Sequence, residues 1–150
     1  MKYCGEYGGY AVQCPDATIN VIAGIMPTAR LMGEGIKLGF GSDVSAGQSL
    51  KIYSQIARAV QLSKIKEFYE PENRSISFEQ AFYIATKSSG AVFGKTGTFE
   101  KGYSFDALVI DGLDDGFVSL SPKQIAERFC YAGAKENIRA RFLRGEEIKI

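Results

Sequence analysis

The residues best placed to do chemistry lie in LGFGSDVSAG, residues 38 to 47, where a short apolar run delivers one carboxylate, Asp43, into a loop of small residues. Such a carboxylate could ligate a metal or act as a general base, and an Asp in a turn could equally brace backbone N–H groups or cap a helix. Local sequence leaves both readings open. The chain contains no histidine, so the usual imidazole company of a metal-bound carboxylate is missing. Its three cysteines, Cys4, Cys14 and Cys130, are odd in number and form no CxxC pair. They read as reduced thiols, with Cys14 and Cys130 buried.

Two glycine motifs resemble nucleotide signals and miss. GAVFGKTG, residues 90 to 97, has three residues between Gly90 and Gly94, where a phosphate-cradling loop needs four after a strand and before a helix. It reads as a helix end followed by a turn. Gly39 and Gly41 lack the third glycine of a dinucleotide fingerprint.

The elements that must position Asp43 follow from periodicity. YAVQC, Tyr10 to Cys14, is a β-favouring run stopped by Pro15. Ile22, Ile25, Met26, Ala29 and Met32 fall at helical spacing, which predicts a helix within residues 19 to 32 with Pro27 in its first turn. Gly33, Glu34 and Gly35 then lead into a strand from Ile36 to Phe40. Strand, helix, strand in this order predicts a parallel βαβ unit. From Ser49 to Tyr69, Tyr53, Ile56, Ala57, Val60, Lys64 and Phe68 mark one helical face, with Gln55, Arg58 and Lys66 turned elsewhere and Pro71 closing the helix. Ser77 with Gln80, and Ser121 with Gln124, carry the Ser-x-x-Gln spacing of a capping box. A glycine-rich stretch holding a strand at Asp106 to Asp111, and a hairpin of Ile138 to Leu143 with Glu147 to Ile150, complete the chain.

With 150 residues, 45% apolar composition and a net charge of +1, the chain is a folded unit with no electrostatic footprint for nucleic acid or an anionic membrane. It shows no apolar run of bilayer length and no signal-peptide pattern, which predicts a cytoplasmic location.

The ordered motifs CPDATIN, GIMPTARLMGEGIKLGFGSDVSAGQSL, AVQLSKI, SFEQAFYIATKSSGAVFGKTGTFEKGYSFDALVID and AGAKENIRARFLRGEEI resemble the C-terminal part of the guanine deaminases of the amidohydrolase superfamily, from about Gly9 to Ile150. The resemblance implies an α/β fold: the last two βα units, strands 7 and 8 with their helices, of a TIM-barrel amidohydrolase, plus strands of its small β-sandwich domain. Residues 1–100 would form the partial barrel and residues 101–150 the sandwich strands and a C-terminal helix. It further implies a zinc-dependent aminohydrolase converting guanine to xanthine and ammonia, with Asp43 as metal ligand and catalytic proton carrier.

Departures from the pattern temper that picture. A complete barrel takes about 250 residues, so this chain is expected to lack the strands bearing the family's histidines and catalytic glutamate, and not to hold zinc stably alone. The family's HCPxSN reads Gln13, Cys14, Pro15, Asp16, Ala17 and Thr18, which is expected to remove polar groups near the site. Strand edges and apolar faces cut from a barrel predict self-association, as a homo-oligomer, or pairing with a complementing chain that carries the missing strands. Three functions follow: an inactive deaminase-like fragment, one subunit of a split amidohydrolase acting on a purine base, or a non-enzymatic interaction module.

Overall fold

The computed structural model describes residues 6–114 and 116–149. Cys4 and Ile150 lie outside the described residues.

Strands β1 (Tyr10–Gln13) and β2 (Lys37–Phe40) pair in parallel, with Ala11 opposite Leu38 and Gln13 opposite Phe40. Strand alternation divides the pair into two faces. Ala11, Leu38 and Phe40 are buried in the main core, whereas Val12 on the other face is 53% exposed.

The connection between the strands departs from the single helix expected. Pro15 does not merely stop β1; it opens a short helix, α1 (Pro15–Asn20), at a position where its missing N–H does no harm. The chain then breaks, with Ile22 and Gly24 at positive φ, and resumes as α2 (Thr28–Gly33) directly after Pro27. Ile22 is 92% exposed on that break, so it leaves the stripe to which its spacing assigned it. Met26, Ala29 and Met32 do pack on the core.

Helix α3 (Ile52–Tyr69) lays Ile56, Ala59 and Val60 on the core. It begins three residues after Ser49, whose hydroxyl accepts the Lys51 N–H in a turn before the helix. Gln55, Lys64 and Phe68 sit opposite to expectation, with Lys64 exposed. Gln55 is fully buried and Phe68 is largely exposed. Phe68 instead packs edge-on against Tyr69 at 5.1 Å.

Both capping boxes form. Ser77 and Gln80 cap α4 (Phe78–Tyr83), and Ser121 and Gln124 cap α5 (Pro122–Ala132). Helix α4 runs on into a π-helical turn, Ile84–Ser88, then a 3-10 turn, Ala91–Phe93. Helix α5 packs on α3, with the Phe129 ring 4.4 Å from that of Tyr53 and Cys130 in the core. Two glycines of GAVFGKTG serve close packing, whereas Gly94 supplies a positive φ. A Cβ at Gly97 would lie 2.2 Å from the Thr86 carbonyl oxygen, and one at Gly90 would lie 2.6 Å from that of Thr96.

The second sheet orders β3 (Ala107–Ile110), β4 (Ile138–Leu143) and β5 (Glu146–Glu147) antiparallel. Arg144 and Gly145, both at positive φ, form the two-residue turn of the last hairpin. Asp106 ties this turn to the preceding loop, accepting from the Arg144 N–H and from the hydroxyls of Ser104 and Thr96. No helix among the described residues is long and apolar enough to cross a membrane.

Candidate functional site

The carboxyl ends of β1 and β2 lie side by side, locked by the Gly41 N–H donating to the Gln13 carbonyl at 2.9 Å. Asp43 emerges from this junction exposed and with φ of 44°. Asp is among the few residues that tolerate this left-handed conformation, and such strain gathers at functional sites. The loop is tight. The Asp43 carbonyl accepts the Gly47 N–H at 2.7 Å, and a Cβ at Gly47 would stand 2.2 Å from the Ser42 carbonyl oxygen. The Asn20 side-chain amide donates to the Ala46 carbonyl and to Gln48 Oε1, tying α1 to this loop.

Cys14 is the side chain that sequence reasoning missed as a neighbour of Asp43. It is half-buried, not fully buried as expected, and its Sγ would be 3.0 Å from a Cβ at Gly41. Burial, and then the Asp43 charge, push its thiol pKa up, with the Gly41 N–H partly offsetting them. The second thiol, Cys130, is buried as predicted. Desolvation by burial, and then the Glu127 charge, raise its pKa to about 12.

Gln13 does not join this group. Its side chain is buried and its Oε1 accepts the Thr28 hydroxyl at 3.0 Å. Strand alternation puts it on the face shared with Ala11 and Phe40. The position read as a vanished polar group beside the site is therefore occupied by a residue that fastens β1 to α2.

A second polar cluster lies one helix away. The Asp16 carboxylate accepts from Gln55 Nε2 at 2.7 Å and Arg58 Nε at 3.1 Å, while its own N–H donates to Gln55 Oε1. Both carboxylate oxygens of Asp16 and both polar atoms of the Gln55 amide are engaged within the fold, which makes the cluster a brace between α1 and α3. Strand parity in the sequence separates Cys14 from Gln13, but no local signal marks contacts 39 residues apart.

Zinc chemistry needs three protein ligands at a catalytic site and four at a closed structural one. Among the described residues, no group of three or more His, Cys, Asp or Glu side chains could hold a metal ion. The residues present therefore do not fit a zinc site on their own. Asp43 supplies one carboxylate.

Comparison with known proteins fixes the lineage. The sequence profile of the amidohydrolase family matches residues 3–148. The guanine deaminase of Dictyostelium discoideum is 30% identical over 148 residues, which is 91% of this chain and 32% of that protein. That of Rattus norvegicus is 26% identical, over 99% of this chain and 35% of that protein. The crystal structure of guanine deaminase from C. acetobutylicum with bound guanine in the active site superposes with a TM-score of 0.93 at 38% identity, covering 99% of this chain and 36% of that one. An adenosine deaminase structure from Xanthomonas campestris with bound zinc shares the fold, with a TM-score of 0.78 at 21% identity over 97% of this chain and 33% of that one. The chain thus spans about a third of the length of these relatives. With an α/β architecture that superposes on amidohydrolase structures and a family profile running over nearly its whole length, the chain belongs to the amidohydrolase family.

Proposed function

We propose that this chain is the C-terminal portion of a guanine-deaminase-like aminohydrolase: strands 7 and 8 of its barrel with their helices, followed by strands of its small β-sandwich. In this reading β1 and β2 are the barrel strands, β3 to β5 belong to the sandwich, and Asp43 is the family's strand-end metal ligand and proton carrier. The observation that carries it is the likeness to a guanine-bound guanine deaminase, TM-score 0.93 at 38% identity over 99% of the chain. The left-handed Asp43 at the carboxyl end of β2 supports it, since barrel enzymes keep their chemistry at that end of their strands.

On this reading the chain by itself neither holds zinc nor deaminates guanine, because one carboxylate is a single ligand. In a split amidohydrolase, the second reading, a separate histidine-bearing chain completes the centre around Asp43. The lack of any three-ligand group among the described residues favours a contribution from outside over a self-contained site. In either case the setting is cytoplasmic and the substrate class is a purine base.

The purified chain incubated with zinc is tested by metal analysis and by ammonia release from guanine. Sub-stoichiometric metal and no ammonia are the expected results. Stoichiometric zinc with turnover by the chain alone overturns the proposal. If a complementing chain restores turnover, D43N in that complex should abolish it, while leaving the loop conformation that asparagine also tolerates.

A further inference from the structure

The amino ends of β1 and β2 border a hollow at the opposite end of the strand pair from Asp43. Tyr10 opens β1 and Lys37 opens β2, and the two stand opposite each other in the parallel register. Strand alternation turns them to the face of Val12, away from the core face of Ala11. Tyr83, the last residue of α4, and Lys87, in the π-helical turn, line the same hollow, as does Tyr103 in the loop before β3. Its volume is about 240 Å³.

The polar groups around this hollow are unequally engaged. Lys87 is paired with Glu100. Lys37 meets no carboxylate among the described residues; its ammonium rests over the Tyr10 ring, 5.6 Å from the centroid. The hydroxyls of Tyr10, Tyr83 and Tyr103 have no hydrogen-bond partner among the described residues. The Lys87 pKa is raised by the hydrogen bond to Glu100 and, after that, by the Glu100 charge and the phenols of Tyr103 and Tyr83, so both phenols lie within electrostatic reach of its ammonium. Two lysines against one glutamate leave one uncompensated positive charge, at a hollow edged by three aromatic rings.

We infer that this hollow is a binding site for a small aromatic monoanion, a carboxylate carried on a single ring. Its volume falls below the roughly 300–1,000 Å³ of drug-sized pockets, which limits the occupant to a compact molecule. Lys37 supplies the unmatched charge, the phenols donate hydrogen bonds to the carboxylate, and the tyrosine rings pack on the ligand's ring. A phosphate dianion fits worse, because the Glu100 carboxylate beside Lys87 opposes the second charge. The site lies apart from Asp43 and does not depend on the deaminase reading.

The purified chain is titrated with benzoate and followed by amide chemical shifts, with cyclohexanecarboxylate, benzamide and inorganic phosphate as controls. Benzoate should saturate a single site and shift Lys37, Lys87 and Tyr103 while leaving Asp43 in place, and each control should bind about tenfold more weakly or worse. Lys37→Met should cut benzoate affinity about tenfold at an unchanged urea midpoint, since the side chain is exposed. Glu100→Gln releases the Lys87 ammonium and should instead tighten benzoate binding severalfold, a gain that a damaged fold does not give. Failure of benzoate to saturate, shifts centred on Asp43, a control that binds as strongly as benzoate, a Lys37→Met chain that binds like the native one, or a Glu100→Gln chain that binds no tighter each overturns the inference.

Discussion

Asp16 is held by Gln55 and Arg58, and Gln55 is enclosed completely. Asp16→Ala leaves the Gln55 amide buried with its partner gone, a loss of about 1–3 kcal/mol. Urea unfolding should show this as a lower midpoint at unchanged slope. The thiols offer a second check. Cys14 is half-buried and Cys130 is fully enclosed at the α3–α5 contact, so iodoacetamide should label Cys14 well before Cys130 in the native chain, and both equally in urea, as read by peptide mass. At this scale the place of Asp43, exposed in the loop after β2, was legible, because a lone acid after a strand and a Gly-Ser pair stands out in sequence. The burial of Gln55 was not. An amide on a helix reads as solvent-facing until a carboxylate 39 residues away folds under it.

Helices α4 and α5 were found from sequence because a capping box is a rule of four adjacent residues. The break at 21–27 was missed because it depends on Ile22 adopting positive φ, which a β-branched residue rarely does. The first turns of α4 and α5 are joined by the ion pair of Glu79 with Lys123. The hydrogen bond from Lys123 holds the Glu79 pKa down at about 2 against an ordinary 4.5. A depressed carboxylate stabilises the fold above its unfolded pKa and loses that contribution as pH falls from about 4.5 to about 2. The urea midpoint of the native chain should therefore exceed that of E79Q at pH 6, with the gap closing toward pH 2. The gap will be small, since the pair is exposed.

Helix α5 follows β3 in sequence yet contributes Phe129 and Cys130 to the packing on α3. Phe129→Ala should remove about 3–5 kcal/mol, read as a lower urea midpoint. The parallel pairing of β1 with β2 was legible from the order of local patterns; the bonds of the Ser88 hydroxyl to the Leu38 carbonyl and of the Phe40 N–H to the Ser89 hydroxyl were not, because they depend on where a helix of altered winding ends. That winding has a consequence for the seam it closes. A π turn accommodates one surplus residue in an α-helix, so deleting a single residue between Ile84 and Thr86 would restore ordinary winding and leave everything after it near its present helical phase. The Ser89 hydroxyl would keep its hold on the Phe40 N–H, and the seam would outlast the residue that bends its helix.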